Sequence, residues 1–173
     1  FQHAKNRSLW LMLLMLSATV SGEILAHYEK AMAAMPVLIT FIPMLMGTSG
    51  NSGSQSSTMV IRGLAVGEIQ FKDFFRVVFK EIRVALIVGV LLAIVNGVRV
   101  YLMYDQDLTL AIAIGITMIA IVCMAKCVGC TLPLLAKKIG LDPALMAAPL
   151  ISTIMDTCTI LMYFAIITAL YRM

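Results

Sequence analysis

Long apolar runs joined by mostly short polar connections dominate this sequence. A helix that crosses a membrane needs roughly 20 mostly apolar residues. Five segments reach that length, at residues 9–28, 35–61, 84–104, 108–136 and 143–171. The pattern predicts an all-α integral membrane protein, with residues 1–173 forming one transmembrane domain of five helices.

The longest connection, residues 62–83, has a different pattern. Its apolar residues interleave with Lys72, Arg76, Lys80 and Arg83, and they are Ile69, Phe71, Phe74, Phe75, Val78 and Phe79. That spacing is typical of an amphipathic helix lying in the membrane interface. A solvated linker helix that continues directly into the third span explains the same spacing equally well. Both interpretations remain open from the sequence.

The composition supports a membrane environment. Hydrophobic residues make up 61% of the chain and charged residues 13%, which is about half the charged share of an average soluble domain. That share is too small to cover a soluble core with polar side chains. The formal charge is +4, but the basic residues lie between apolar spans and no nucleic-acid-binding motif accompanies them. We therefore expect membrane lipid, and no nucleic acid, as a partner.

The distribution of lysine and arginine predicts an orientation in the cell membrane, because cytoplasmic loops carry an excess of both. One side of the five-span arrangement holds Lys5, Arg7, Arg62, Lys72, Arg76, Lys80, Arg83, Lys137 and Lys138. The other side holds Lys30, Arg99 and Arg172. This imbalance predicts a cytoplasmic amino terminus and an external carboxyl terminus.

Asp156 is the most informative residue, because a carboxylate near the middle of a span is costly unless it faces a partner or water. At about 100° per residue, Ser152, Asp156, Thr159 and Tyr163 fall on one helix face. Such a polar stripe indicates a water-filled path or a protein interface. The structural alternative is an ion pair between Asp156 and Lys126 of the fourth span.

The second span also contains residues that are unusual inside a membrane. They form a run of glycine and hydroxyl residues over positions 47–58. Polar backbone at membrane depth must be buried in protein or line a cavity. Gly47 and Gly50 either expose carbonyl oxygens to a ligand or form a small-residue packing face. Oxygen ligands beside a carboxylate suit Mg²⁺ or Ca²⁺. One Asp156 is meagre for a dication. Mg²⁺ would be held through its hydration shell, and a two-fold dimer would bring two copies of Asp156 to a common axis.

Four cysteines complete the candidate chemistry. Cys127 and Cys130 form a CxxC pair, with Cys123 and Cys158 nearby in apolar sequence. Such a pair can bind zinc or carry out redox chemistry. No second pair accompanies it, so packed membrane thiols are the favoured interpretation.

Several ordered motifs make the chain resemble the membrane domain of the MgtE family of magnesium channels and transporters. The first is residues 43–55, with the core Gly-x-x-Gly-Asn-x-Gly-x-Gln, and the second is residues 62–69. The remaining matches are Gly129, Pro133, residues 140–144, residues 149–156 and Tyr163–Phe164. Together these motifs cover nearly the whole chain. Ser49, Thr159, Lys126 and the cysteine cluster depart from the usual family pattern.

The resemblance implies a homodimer in which the second and fifth spans line a central ion path. It implies that Asp156 holds hydrated Mg²⁺ as the transported ion, with backbone oxygens of Gly47, Gly50 and Ser152. Further pore-lining positions are predicted at Asn51, Ser54, Thr58 and Thr159. Cytoplasmic regulatory domains precede the membrane domain in this family. Since Phe1 is not a start methionine, we expect this chain to be a fragment that lacks them.

Four functions fit these features to different degrees. The favoured one is passive, voltage-driven Mg²⁺ conduction, since 100 mV supplies about 4.6 kcal/mol to a dication. The second is a Na⁺- or H⁺-coupled divalent cation exchanger. An intramembrane aspartyl hydrolase needs two carboxylates that share a proton, and Glu23 is the only other acidic residue assigned well inside a predicted span. A non-conducting scaffold is the fourth. We therefore predict a transporter and not an enzyme.

Overall fold

The computed structural model describes residues 2–105, 107–146 and 148–171, and the described chain is helical with no β-strand. Six α-helices follow in order: α1 (Gln2–His27), α2 (Glu29–Ala34), α3 (Val37–Ala65), α4 (Phe74–Met103), α5 (Leu108–Lys138) and α6 (Ala148–Tyr171). Two 3₁₀ helices cover Phe71–Asp73 and Pro143–Met146. The predicted all-α class is confirmed. Arg172, which entered the charge comparison, lies outside the described residues.

The helix boundaries refine three of the predicted segments. The helix α4 begins at Phe74, so the second half of the long connection is helical and continuous with the predicted third span. The predicted fifth span, residues 143–171, is divided into a 3₁₀ helix and α6. The connection between the first two spans is itself helical, as α2.

Local capping interactions explain where the later helices begin and end. The Asp107 side chain accepts a hydrogen bond from the backbone N–H of Leu110 at 2.9 Å and caps the start of α5. Gly67 follows α3 with a φ of 76°, and Gly140 follows α5 with a φ of 79°. Glycine adopts this left-handed conformation without the steric penalty of a side chain, so both helices end at turns that suit their sequences.

Helix α5 forms the centre of the bundle, since it packs against α3, α4 and α6. Helix α6 packs in addition against α1 and α3. The main apolar core is built largely from one face each of α3, α5 and α6, and its fully buried side chains include Leu38, Phe41, Leu45, Ile114, Ile121, Phe164 and Ile167. This arrangement places α3 beside α6 along the segment that carries Asp156.

Two helices in the described parts of the chain, Leu108–Lys138 and Pro149–Tyr171, are both long and apolar enough to cross a membrane. The other long helices, α1, α3 and α4, contain 26, 29 and 30 residues. At about 1.5 Å per residue, each is longer than a hydrocarbon core of about 30 Å. These three helices are long enough to cross a membrane, but their polar residues make them less hydrophobic on average than α5 and α6.

Candidate cation site

A pocket of about 400 Å³ lies between α3 and α6, and Asp156 is on its wall. Its lining residues are Ile42, Pro43, Met46, Gly47, Gly50, Asn51, Ser152 and Asp156. Five of the eight predicted site residues therefore meet at one place, although they are distributed over two helices far apart in sequence. Pro43 and Met46 were not predicted to belong to the site. Their helical spacing from Gly47 and Gly50 was the available signal.

The two glycines have different surroundings. A Cβ atom built on Gly50 would lie 3.2 Å from the Ser152 hydroxyl oxygen, so Gly50 permits α3 and α6 to approach closely at the pocket. A Cβ atom on Gly47 would have no neighbour within 4 Å. Gly47 therefore faces open space in this chain, while Gly50 belongs to the contact between the helices.

The Asp156 side chain is half-buried, and it forms no ion pair among the described residues. The alternative in which Lys126 pairs with Asp156 is wrong. The Lys126 ammonium lies 3.5 Å from a carboxylate oxygen of Glu81, and both side chains are buried. Lys126 therefore contacts Glu81 of α4 and Ser56 of α3, and Glu81 supplies its counter-charge.

Glu81 is the charged residue that the sequence interpretation missed, since it falls in the segment interpreted as the long connection. The structure places it inside α4, 6% exposed. It accepts a hydrogen bond from the Ser56 hydroxyl, and it also lines a pocket of about 480 Å³ with Arg76 and Lys80. The helical spacing of Glu81 from buried Ala85 was a signal that could have identified it. Glu23 is therefore not the only acidic residue, besides Asp156, within the long helices.

The predicted polar stripe of α6 faces α3, but only part of it reaches the pocket. Ser152 and Asp156 line the pocket, whereas the Thr159 hydroxyl donates to the Ser49 hydroxyl at 2.7 Å. Tyr163 donates to the carbonyl oxygen of Leu38 at 3.0 Å. Thr159 is 1% exposed, so in this chain it lies in the helix interface, and its place on an ion path stays a prediction.

Ser54 and Thr58 continue the pocket face of α3 toward the Arg62 end of the helix. They lie seven and eleven residues after Gly47, which places all three on one stripe at about 100° per residue. Thr58 is exposed, and its hydroxyl donates to the carbonyl oxygen of Ser54 at 2.9 Å. Neither residue lines the pocket itself, so the structure places them beyond it along the same face.

We expect Thr159→Val to lower the free energy of unfolding by about 0.5–1 kcal/mol, the usual value of a hydrogen bond between helices. The cost is modest because the Ser49 hydroxyl still donates to the carbonyl of Met46 at 3.0 Å. Thermal unfolding of the purified protein measures it. Thr168→Val is the matched control, since that hydroxyl bonds only within its own helix. If the two variants lost equal stability, the hydrogen bond between Thr159 and Ser49 would not contribute to the contact between α6 and α3.

The cysteines do not form a metal site in the described part of the chain, where no three His, Cys, Asp or Glu side chains cluster to hold an ion. All four described cysteines are free, and the Cys130 thiol donates to the carbonyl oxygen of Cys127 at 3.3 Å. Cys130 is buried and the other three thiols are partly exposed, so packing of the whole cluster stays a prediction. Asp156 is the carboxylate on the wall of the pocket between α3 and α6.

Comparisons with known proteins identify the family. Residues 42–166 match the MgtE family model, described as a divalent cation transporter. The chain is 36% identical over 157 residues to the magnesium transporter MgtE of Thermus thermophilus, covering 91% of this chain and 34% of that protein. It is 31% identical over 166 residues to the magnesium transporter MgtE of Bacillus subtilis, covering 96% and 37%.

The magnesium transporter MgtE of Enterococcus faecalis is 29% identical over 172 residues, covering 98% of this chain and 37% of that protein. The chain thus spans about a third of the length of these curated relatives. The family match extends from the pocket residues of α3 through most of α6, and it includes Gly47, Gly50, Ser152 and Asp156. This chain belongs to the MgtE family of divalent cation transporters.

Proposed function

We propose that this chain conducts Mg²⁺ passively across the cell membrane, with Asp156 as the ion-binding carboxylate. The observation that carries the proposal is the pocket in which a half-buried carboxylate, with no ion pair among the described residues, meets Gly47, Gly50, Asn51 and Ser152. Carboxylate, carbonyl, amide and hydroxyl oxygens are the ligands that Mg²⁺ uses. The magnesium transporters to which the chain is similar support the same ion.

The size of the pocket supports a hydrated ion. The pocket is open and measures about 400 Å³, so it leaves room for an ion that keeps coordinated waters. Mg²⁺ dehydrates reluctantly and usually keeps several waters. In the proposed site Asp156 accepts hydrogen bonds from the waters of the ion, and backbone oxygens of Gly47, Gly50 and Ser152 accept others. Asn51, Ser54, Thr58 and Thr159 are the proposed lining of the adjoining path.

A second copy of the chain explains why polar residues of α3 are exposed. Asn51, Gln55 and Thr58 are exposed in the single chain, in line with the open pocket. Polar groups that face lipid are costly, whereas a two-fold partner would cover them and place a second Asp156 across the path. The proposed active form is therefore a homodimer with the pore between its α3 and α6 helices.

The proposed topology has five spans, formed by α1, α3, α4, α5 and α6. The amino terminus lies in the cytoplasm and the carboxyl terminus outside, in accordance with the lysine and arginine distribution. The first turns of α4 lie in the cytoplasmic interface, where Phe75 is 82% exposed beside basic residues. Cytoplasmic regulatory domains, outside this chain, complete the proposed transporter.

A flux assay distinguishes conduction from the second mechanism, exchange coupled to Na⁺ or H⁺. Purified protein in liposomes is given an inward Mg²⁺ gradient and a K⁺ diffusion potential, and a Mg²⁺-sensitive dye inside reports uptake. With no Na⁺ or H⁺ gradient imposed, we expect an inside-negative potential to accelerate uptake, because about 4.6 kcal/mol is available to a dication at 100 mV. Uptake that starts only when a Na⁺ or H⁺ gradient is imposed would favour the exchanger.

A further inference from the structure

A buried charge pair ties three helices together behind the proposed ion path. The Lys126 ammonium of α5 lies 3.5 Å from a Glu81 carboxylate oxygen of α4, with side-chain exposures of 6% and 7%. The same ammonium donates to the Ser56 hydroxyl of α3 at 3.3 Å, and that hydroxyl donates to Glu81. The three groups thus form one buried network that joins α3, α4 and α5.

Stability alone gives little reason for this pair. Removing two charges from water costs several kcal/mol per ion, roughly the amount that their attraction returns. Apolar residues of similar volume are often equally stable or more stable at such positions. Stability therefore explains why a buried Lys126 needs Glu81 as its partner. It does not explain why a charged pair occupies these positions at all.

The position of the pair relative to the path indicates a function. Gly47 and Thr58 share the pocket face of α3, and Ser56, nine residues after Gly47, lies on the opposite face at about 100° per residue. The Lys126 ammonium at Ser56 is therefore separated from the path by about one helix diameter, roughly 10 Å. At that distance, through a low-dielectric helix, an unpaired cation acts strongly on a dication.

We propose that Glu81 is the counter-charge that prevents Lys126 from repelling cations in the path. The inference rests on the proposed function, because it assumes that the pocket face of α3 carries the ion. Glu81 does not contact the ion; it is a positioning residue that acts through Lys126. Its charge makes the net field of the pair at the path close to zero, so that the Asp156 carboxylate determines the local cation concentration.

The expected effect of removing the counter-charge is large. A unit positive charge about 10 Å from a dication beside Thr58, at an effective dielectric constant of about 20, lowers the local dication concentration a few hundredfold before salt screening. At the Asp156 pocket, which lies further along α3 at about 1.5 Å per residue, the same charge lowers it by roughly some tens of fold. Screening in the water-filled path reduces this factor. We expect the half-saturating Mg²⁺ concentration for uptake to rise at least about tenfold, with the maximal rate changed much less, because saturating Mg²⁺ overcomes electrostatic repulsion.

Two matched double variants test the charge separately from the packing. Glu81→Gln with Lys126→Arg leaves a buried cation that cannot be neutralised, since arginine does not deprotonate in proteins. Glu81→Gln with Lys126→Met removes both charges and keeps a long side chain at position 126. Lys126→Arg alone keeps the pair and controls for the change of side-chain shape. Each is assayed for Mg²⁺ uptake in liposomes over a range of Mg²⁺ concentrations, beside the thermal stability of the purified protein.

We expect the half-saturating concentration to rise only in the variant that combines Glu81→Gln with Lys126→Arg, while Lys126→Arg alone and the uncharged double variant stay within about twofold of the wild type. An equal rise in both double variants would overturn the inference, because it would show a purely structural role. No rise in either would overturn it as well. Asp156→Asn in the same assay separates the two proposals: if Asp156→Asn transports normally, the proposed function fails, whatever the pair does.

Discussion

Asp156→Asn is expected to reduce Mg²⁺ uptake by at least about a hundredfold while leaving the fold intact. The substitution keeps the shape of the side chain and removes its charge, so the hydrated dication loses its anionic partner in the pocket. Because Asp156 forms no ion pair in the described chain, the change leaves no buried cation unpaired. Flux into liposomes measures the effect, and size-exclusion chromatography with thermal unfolding shows whether the protein remains folded.

Asp142→Asn is the matched control for that variant. Asp142 is exposed in the connection before α6, where its side chain accepts a hydrogen bond from the backbone N–H of Ala144 at 2.9 Å. An asparagine retains an oxygen for this bond, so uptake should stay close to the wild-type rate. If Asp156→Asn and Asp142→Asn transport equally well, Asp156 is not the ion-binding carboxylate.

Gly129→Ala is expected to destabilise the protein by about 2–3 kcal/mol, the usual cost of forcing extra volume into a packed interior. A Cβ atom at Gly129 would collide with the backbone carbonyl of Gly53. The distance from that Cβ atom to the Cα atom of Gly53 would be 3.1 Å. The obstacle is backbone, which cannot rotate away as a side chain does. Helices α3 and α5 would have to separate, and the pocket face of α3 would move with them. Thermal unfolding of the purified protein and its Mg²⁺ uptake measure the change.

Gly115→Ala on the same helix separates steric cost from helix propensity. Its Cβ atom would lie 3.8 Å from the nearest atoms of Ala93, an ordinary contact. We expect stability to be unchanged or raised by up to about 1 kcal/mol, since alanine is the better helix former. A stability loss at Gly115 as large as that at Gly129 would contradict the close crossing of α3 and α5.

The local chemistry of the site could be predicted from the sequence because polar residues are rare inside apolar membrane spans and are easily recognised there. Asp156 and Ser152 stand out in an apolar span, and Gly47, Gly50 and Asn51 stand out in another. Their meeting in one pocket follows from the packing of α6 against α3, which the two polar patterns anticipated. The helical half of the long connection, by contrast, fits both interpretations, because periodicity is the same for an interfacial helix and for the first turns of a longer one.

The pairing of polar groups could not be predicted in the same way. The sequence offered Lys126 as a partner of Asp156, and only three-dimensional packing shows that Glu81 is its partner. Thr159 belongs to the same sequence stripe as Asp156, yet its hydroxyl is buried against Ser49. A stripe on a helix predicts the direction that it faces, but the depth of each residue depends on how closely the neighbouring helix approaches.

Direct binding of a divalent cation tests the central claim most closely, because it separates the site from the mechanism of transport. Mn²⁺, which accepts the same oxygen ligands, is titrated into the purified protein and followed by electron paramagnetic resonance. We predict one saturable Mn²⁺ site per two chains, displaced by Mg²⁺ and absent from Asp156→Asn. An unchanged saturable site in Asp156→Asn would contradict the assignment of Asp156 as the ion-binding residue.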